Sequence, residues 1–544
     1  MSNTSDTLKE LYRRFVSHMN PPVWLGSASI IILFVLFGSG WSDLASSVFQ
    51  QTQSFIVSHF GWFYILTATL LLGVVIWLWF SRFGYIRLGP PDEEPDFNTL
   101  TWFSMLFAAG MGIGLVFYGV AEPLLHFQNA PIVDHGNTSL AVKQSMRLSF
   151  YHWGLHPWAI YVLFALALAY LHFRHDLPLA PRAMLYPVIG NRIYGWIGHL
   201  IDIAATVGTL FGVATSLGFG AKQINAGLSQ LMDIPLEVNV QVALIIIITL
   251  IATTSVVLGL DKGISRLSLF NISLGALLFV FVFIAGPTLY NLRLFVSSLG
   301  DYLQHLPELS FWMQTEPGDN WQKNWTLFYW SWWISWSPFV GVFTARISKG
   351  RTVREFVTGV LVIPTLAAFL WLSVFGGTGL YQHLYGASSI MQTVNDNISL
   401  SLHALLGDLP LTSITSVMGT LLITIFFITS SDSGSFVDDM VTSGGDPNPP
   451  TAQRVFWAFA EGAVAITLLV AGGLQALRTA SLISGLPMAI ILLFAAYGIV
   501  KALNVDHHHP DVPQVNKLYE DKKPLTKVEG RKESHDRLKE EMKD

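Results

Sequence analysis

Residues 328–339 read FYWSWWISWSPF and place four tryptophans within one short stretch. Phe328, Trp332 and Trp336 are spaced four apart, and Trp333 lies three residues before Trp336, so all four share one side of a helix. The stretch belongs to an uncharged apolar run, 325–345, which has about the ~20 residues needed to cross a bilayer. Tryptophans this far inside a span do not fit an interfacial belt, which predicts that their rings have partners within the protein.

The rest of the chain has the same apolar character. Its 544 residues are 52% hydrophobic and only 12% charged, about half of the ~25% that is typical of soluble proteins. Twelve apolar runs are long enough to span a bilayer, which predicts an all-α membrane protein with twelve transmembrane helices. These runs are 23–41, 60–81, 101–121, 148–171, 201–231, 238–258, 267–289, 325–345, 356–378, 411–437, 454–472 and 482–503.

The distribution of charge predicts the orientation and excludes several classes of protein. An N-terminus-inside arrangement puts twelve short-loop Lys and Arg residues inside and five outside, so we expect both termini to be cytoplasmic in a bacterial-type inner membrane. The five expected in outer loops are Lys143, Arg147, Arg293, Lys323 and Arg478. The net charge of −5 gives no reason to expect nucleic acid as a partner, and the lack of cysteine excludes thiolate metal sites. No HExxH, GxSxG or phosphate-cradling motif is present, which argues against an enzyme or a nucleotide-driven pump and gives no reason to expect a cofactor.

Two of the predicted spans contain helix-weakening residues at corresponding places. Three glycines interrupt the third run at 110–114, and serines and a proline interrupt the eighth run at 335–338, five runs later. Paired breaks of this kind predict two inverted five-helix repeats. The predicted segments are a cytoplasmic tail (1–21), two peripheral helices (22–99), a first repeat (100–289), an external helix and loop (290–324), a second repeat (325–503) and a charged cytoplasmic tail (504–544).

The segment 288–306 carries leucines at helical spacing, with Arg293 and Asp301 between them. This pattern predicts an amphipathic helix that lies on the outer surface. Both a helix that covers the bundle and an oligomer contact fit it.

Aromatic residues of two spans predict the chemistry of the ligand. Trp153, Trp158 and Tyr161 of the fourth run would face the tryptophans of the eighth. A quaternary ammonium has no N–H to donate and is held by cation–π attraction, at roughly 0.5–2 kcal/mol for each ring. Three or four rings would supply much of the ~8 kcal/mol of micromolar binding. If the glycine run at 110–114 unwinds, its free N–H groups could bind a carboxylate, although glycines also serve close helix packing. The two features together suggest a zwitterion.

The tenth run contains adjacent hydroxyl groups at 429–435. They could bond to carbonyls of their own helix or supply oxygen ligands to a hard cation such as sodium, and the pattern fits both. Carboxylates inside a membrane span are functional candidates by default. Three fall within the predicted spans, namely Asp202, Asp432 and Glu461, and we assign no role to Glu461.

At the stretches 110–123, 152–161, 330–346 and 429–435, the chain resembles the betaine/carnitine/choline transporters, and the resemblance extends over about residues 20–505. It implies an amino-acid-transporter-like fold of twelve helices with two inverted five-helix repeats, surrounded by membrane lipids. It also implies a homotrimer, with a contact made partly by the segment 288–306.

The resemblance further implies which residues bind substrate and ion. The implied substrate box consists of Trp153, Trp158, Tyr161 and Trp333. The implied transport path adds Phe328, Trp332 and Trp336, and the implied contacts with the ligand's carboxylate and cation are Gly110, Met111 and Gly112. The implied sodium site consists of Thr429 and Ser430 with the carbonyls of Ala108 and Met111.

The same resemblance bears on coupling. Proton-coupled choline relatives have an aspartate where Gly114 stands, so Gly114 favours sodium coupling and a zwitterion. Thr209 and Phe339 match a second sodium site of some relatives, but Val213 replaces a hydroxyl of that site, which leaves the number of sodium ions open. The predicted function is sodium-coupled symport of a quaternary-ammonium compatible solute such as glycine betaine, by alternating access. Proton-coupled choline uptake and sodium-independent carnitine/betaine exchange are the alternatives.

Overall fold

The computed structural model of the protein describes residues 19–110, 112–257, 261–315 and 320–508. Every secondary-structure element assigned in these ranges is a helix. One isolated bridge, between Arg87 and Thr352, is the exception to this helical character. In chain order the main helices, α1 to α14, are Pro21–Gly40, Ser42–Phe80, Thr99–Gly110, Ile113–Asn129, Thr138–Trp153, Leu155–His175, Trp196–Met232, Val238–Val257, Asp261–Ala285, Thr288–Phe311, Thr326–Arg346, Val353–Tyr385, Thr412–Thr442 and Thr451–His508.

Nine helical segments in the described ranges are long and apolar enough to cross a membrane. They are α1, α2, the combined α5–α6 segment, α7, α8, the 267–285 part of α9, α12, α13 and α14. The last of them, α14, contains both final predicted runs. The two runs are separated by a break at Gly472 and Gly473, where Gly473 has a φ of +56°. The eighth run forms α11, which has 21 residues but is rich in tryptophan and serine and therefore less hydropathic. The arrangement of twelve spans in two inverted repeats stays a prediction.

The third predicted span is broken at its glycines, as expected. Helix α3 ends at Gly110 and α4 begins at Ile113, with Gly112 in an extended conformation between them. Backbone polar groups next to such a break lose their helical partners and are free to meet a ligand.

The eighth predicted span is continuous, so the prediction of a break at 335–338 was wrong. Pro338 lies inside α11 and cannot donate to the carbonyl of Ile334. The hydroxyl of Ser337 donates to that carbonyl instead, at 2.7 Å, and so replaces the missing backbone donor. The two predicted breaks are therefore not a pair, and the prediction of repeats depends on the family resemblance alone.

The fourth span is longer than predicted and is itself interrupted. Helices α5 and α6 meet at Gly154, where a Cβ would lie 2.5 Å from the carbonyl oxygen of Phe150. Lys143 and Arg147, which we expected in an outer loop, lie on α5. They pair with Asp301 of α10, at 3.1 and 3.6 Å respectively. The amphipathic helix is thus present, extends to Phe311, crosses the predicted boundary at 289/290 and is held to α5 by charge.

Candidate functional site

Aromatic side chains of α5, α6 and α11 form one contiguous cluster, centred on Trp333. The Trp333 ring stacks on Trp332 with a centroid distance of 4.7 Å, and it meets Trp153 nearly edge-on at 4.9 Å. Tyr161 lies 6.4 Å from Trp333 and 5.5 Å from Trp158. All five rings are buried. The four residues of the predicted box therefore lie together, as the hypothesis of a substrate box requires.

The cluster continues along α11 in both directions. Phe328 stacks on Trp332 at 5.4 Å, and Trp336 lies 6.2 Å from Trp332 on the other side. The indole N–H of Trp336 and the hydroxyl of Tyr161 are buried and have no hydrogen-bond partner among the described residues. Buried polar groups without partners are costly, so these two are natural contacts for a polar part of a ligand.

The broken part of span three lies directly against this cluster. A Cβ at Gly114 would lie 2.5 Å from Cη2 of Trp332 and 3.2 Å from Cη2 of Trp153. A Cβ at Gly112 would lie 3.8 Å from Cη2 of Trp336. Glycine at 114 is therefore required by the close approach of the backbone to two indole rings.

Gly112 also faces a cavity of about 290 Å³ on another side. This cavity is distinct from the aromatic cluster and is lined by apolar groups of α4, α9, α12 and α13, among them Leu115, Phe279, Trp371 and Phe426. Of the other predicted contacts in this region, Met111 lies outside the described residues, and so do the side-chain surroundings of Ala108 and Gly110.

Glu122 of α4 accepts hydrogen bonds from residues of the aromatic cluster and its neighbours, a role that the sequence analysis did not predict. Its Oε1 accepts hydrogen bonds from Nδ1 of His152 at 2.7 Å and from Nε2 of His126 at 3.0 Å. Its Oε2 accepts from the indole of Trp153 at 2.8 Å and from the hydroxyl of Tyr329 at 2.5 Å. A carboxylate has about four acceptor positions, and here all of them are used, so the indole of Trp153 is fixed in place.

The sequence analysis missed Glu122 because the predicted third span ended one residue earlier, at 121. A glutamate followed four residues later by His126 was the available signal, since the two share a helix face. Ligating atoms of Glu122, His126 and His152 lie within 4.8 Å of one another, a spacing that a metal could use. The second ring nitrogen of His152 lies 3.0 Å from the hydroxyl of Thr326, so we interpret the group as a hydrogen-bond network rather than a metal site.

The end of the aromatic cluster at Phe328 contacts a cation of the protein itself, the guanidinium of Arg478. The guanidinium of Arg478 lies 5.1 Å from the ring centroid of Phe328 and 5.6 Å from that of Trp325. It also donates a hydrogen bond of 3.2 Å to the hydroxyl of Tyr118. We expected Arg478 in an outer loop, but it lies within α14. Its contacts show that the aromatic cluster accommodates a positive charge by cation–π attraction.

The hydroxyl-rich part of α13 approaches the break in span three. Helix α13 is continuous there, and the hydroxyl of Thr429 donates to the carbonyl of Ile425 at 3.0 Å. Its lone pairs stay available to a cation. Ile113 of α4 and Phe427 of α13 both lie close to Gly220 of α7, where a Cβ would be 3.0 and 3.1 Å from them. These contacts bring α13 near the break, which the predicted sodium site at Thr429 and Ser430 requires.

The matching residues for a second sodium site lie at the contact of α7 with α11. The hydroxyl of Thr209 is buried and has no hydrogen-bond partner among the described residues. Phe339 packs against Trp336 at 5.3 Å. Val213 faces α13 instead, because a Cβ at Gly434 would lie 3.1 Å from its Cγ2.

Comparisons with known proteins show which proteins the chain resembles. The family model described as "BCCT, betaine/carnitine/choline family transporter" matches residues 22–508. The chain is 43% identical over 491 residues to a protein named glycine betaine transporter from Acinetobacter baylyi, with 90% of this chain and 74% of that protein covered. It is 41% identical to the glycine betaine transporter OpuD of Bacillus subtilis, with 94% and 99% covered. It is 40% identical to the high-affinity choline transport protein of Escherichia coli, with 90% and 73% covered.

Proposed function

The chain belongs to the betaine/carnitine/choline transporter family, and from this premise we propose that it is a sodium-coupled symporter of a quaternary-ammonium zwitterion such as glycine betaine. Family membership makes it a multi-pass membrane transporter of a betaine- or choline-type small substrate, and not an enzyme. Our proposal adds the coupling ion, the orientation with both termini in the cytoplasm, and the bacterial inner membrane as its location.

The observation that carries the proposal is the aromatic cluster around Trp333, in contact with the glycine break. Rings from three helices can hold a trimethylammonium group, which has no N–H and cannot use ordinary hydrogen bonds. The adjacent backbone at Gly112 and the free indole N–H of Trp336 can bind a carboxylate. A ligand with both groups would satisfy both halves of the site at once.

The space at Gly114 favours a zwitterion over choline. A Cβ there already lies 2.5 Å from the Trp332 ring, so the aspartate of proton-coupled choline relatives does not fit this arrangement. Without that negative charge, a net-neutral substrate needs no compensating group, and sodium supplies the driving force. This argument favours betaine symport over proton-coupled choline uptake.

We infer an alternating-access mechanism. Sodium bound at Thr429 and Ser430 would order the join between α13 and the break in span three, and the ammonium group would then bind among the rings of the aromatic cluster. A channel would need a continuous polar pore, which the tryptophan cluster obstructs. A membrane sensor could use the same cluster, but it would not exchange substrate across the membrane.

Proteoliposomes with the purified full chain test the proposal. We expect an inward sodium gradient, but not a potassium or proton gradient, to drive accumulation of radiolabelled glycine betaine. Counterflow by unlabelled betaine should also occur, since only a carrier exchanges substrate. Uptake driven by protons with a preference for choline, or exchange that needs no sodium, would replace this proposal with one of its alternatives.

The double substitution Thr429→Ala/Ser430→Ala tests the ion site. It removes two hydroxyl ligands and should raise the half-saturating sodium concentration for uptake about tenfold or more, while the KM for betaine at saturating sodium changes little. An unchanged sodium dependence would defeat the assignment of sodium to this site.

A further inference from the structure

A second group of oxygen atoms lies between α13 and α14, away from the aromatic cluster. Glu461 of α14 is fully buried, and its Oε2 accepts a hydrogen bond of 3.1 Å from the hydroxyl of Ser431 on α13. Its Oε1 has no hydrogen-bond partner among the described residues. A Cβ at Gly434 would lie 2.6 Å from this oxygen, so the carboxylate reaches α13 at a position where that helix has no side chain.

Asp438 brings a second carboxylate to the same place. It follows Gly434 by one helical turn and Ser431 by two, so the three residues share one face of α13. Asp438 is fully buried, and neither of its oxygens has a hydrogen-bond partner within the described part of the chain. It lies within electrostatic range of Glu461. Together the two side chains supply three buried oxygens that have no hydrogen-bond partner among the described residues.

The nearby charges do not neutralise this pair. Arg454 is the basic residue that interacts with the acidic group here, and its Nη2 lies 2.8 Å from Oδ1 of Asp432. It also acts electrostatically on Asp439, the remaining buried carboxylate of α13, and on Glu461. The single charge of Arg454 is thus shared among three carboxylates, so the pair of Asp438 and Glu461 is not fully compensated. Buried charge without a partner is strongly unfavourable, above all within a membrane span.

We propose that Glu461, Asp438 and Ser431 form a further sodium site, separate from the one at Thr429 and Ser430 and from the residues Thr209 and Phe339. The choice of sodium as the occupant rests on the proposed function, whereas the site itself rests on the unpartnered buried oxygens. Carboxylate and hydroxyl oxygens are the ligands that hard cations take in proteins. Val213 of α7 lies beside Gly434 and presents methyl groups there, whereas the three proposed ligands come from α13 and α14.

An ion at this site would link α14 to the helix that also carries Thr429 and Ser430. This site and the one at Thr429 and Ser430 would then both lie on α13, at neighbouring positions that face different helices. Filling one site restrains α13 and so favours filling the other, which predicts cooperative sodium binding.

Thermal unfolding of the purified full chain tests the site without any need for transport. We expect the unfolding midpoint to be several degrees higher in NaCl than in KCl of equal ionic strength, because an ion that binds only the folded state stabilises it. Glu461→Gln and Asp438→Asn should each remove a large part of this sodium-specific shift. Both changes keep the side-chain shape and remove a buried charge, so the variants should fold.

Ser431→Ala and Ser433→Ala form a matched pair on α13. The first should raise the sodium concentration needed for half of the shift at least threefold, and the second should leave it unchanged. If the carboxylates instead hold protons, Glu461→Gln and Asp438→Asn will keep the full sodium shift, which overturns the proposal. A sodium shift that these variants abolish, in a protein whose uptake needs no sodium gradient, would preserve the site and refute only the sodium-coupled symport.

Discussion

At the scale of single residues, Trp333 joins the parts of the aromatic cluster. It contacts Trp153 at 4.9 Å and Trp332 at 4.7 Å, and its indole donates to the carbonyl of His152 at 3.0 Å. That carbonyl is accessible because α5 ends at the next residue. The C-terminal end of α5 thus fixes the Trp333 ring of α11, which contacts both helices.

Trp333→Leu should abolish saturable glycine betaine uptake while the protein remains folded and inserted in the membrane. Leucine fills part of the volume but offers no π-face to an ammonium group. Radiolabelled uptake in proteoliposomes measures the effect. Trp77→Leu is the matched control, since Trp77 is 48% exposed on α2 and should tolerate the change. Near-normal uptake by Trp333→Leu would remove the hypothesis of the box.

Gly114→Ala should raise the KM for betaine by roughly tenfold to a hundredfold. The added methyl group would overlap the Trp332 ring, and overpacking of this kind typically costs about 1–3 kcal/mol. Gly73→Ala provides the control, because a Cβ there meets no atom within 4 Å. Equal KM values for the two variants would show that the backbone does not need this close approach.

Single residues also show how far sequence reasoning extends. The tryptophans were predictable because their spacing along one helix makes them a pattern. Glu122 was not, because its partners Trp153 and Tyr329 are distant in the chain and their approach depends on how three helices pack. For the same reason, the sequence analysis noted only that Val213 lacks the hydroxyl of a sodium ligand. It did not predict that Val213 faces Gly434 of α13.

At the scale of helices, α11 shows why residue type alone misplaces a break. Proline and serine both favour interruption, and their combination at 337–338 predicted one. The structure uses the hydroxyl of Ser337 to replace the donor that Pro338 lacks, so the helix continues and Trp332, Trp333 and Trp336 stay on one side. Nothing in the local pattern distinguishes this compensation from a true break.

A double-mutant cycle on α11 tests this compensation. Ser337→Ala should lower the free energy of unfolding by about 1–3 kcal/mol, since the buried carbonyl of Ile334 loses its donor. The double substitution Ser337→Ala/Pro338→Ala should recover much of this loss, because the new backbone N–H at 338 can donate to the same carbonyl. Thermal unfolding of each variant in one detergent supplies the values. If the double variant is no more stable than Ser337→Ala, the Ser337 hydroxyl does not replace the backbone donor that Pro338 lacks.

At the scale of the whole molecule, α10 presents a stripe of apolar side chains that the described chain does not cover. Leu289, Leu292, Val296 and Leu303 are exposed and share one side of the helix, while Asp301 ties the other side to α5. The resemblance predicts a trimer contact at this segment. The amphipathic helix could be predicted from its periodicity, but a partner on the stripe could not.

Val296→Lys should therefore convert a trimer into monomers. A lysine in the centre of the stripe would bury a charge at the contact. Native mass spectrometry of the protein in nanodiscs measures the assembly state. Ser297→Lys, at the neighbouring exposed position outside the stripe, should leave the trimer intact. A trimer that survives Val296→Lys would place the contact elsewhere, and a monomeric unaltered protein would refute the trimer.

The carboxylate of Glu122 has a consequence for motion. It connects α4, α5 and α11, which together supply most of the aromatic walls, and it has no acceptor position to spare. Sliding any of these helices past the others would leave a buried negative charge without its partners, at a cost of several kcal/mol. If transport follows the proposed alternating access, we expect α4, α5 and α11 to move together, so that the aromatic cluster keeps its shape. The exits toward the two sides of the membrane would then open and close through displacement of the surrounding helices.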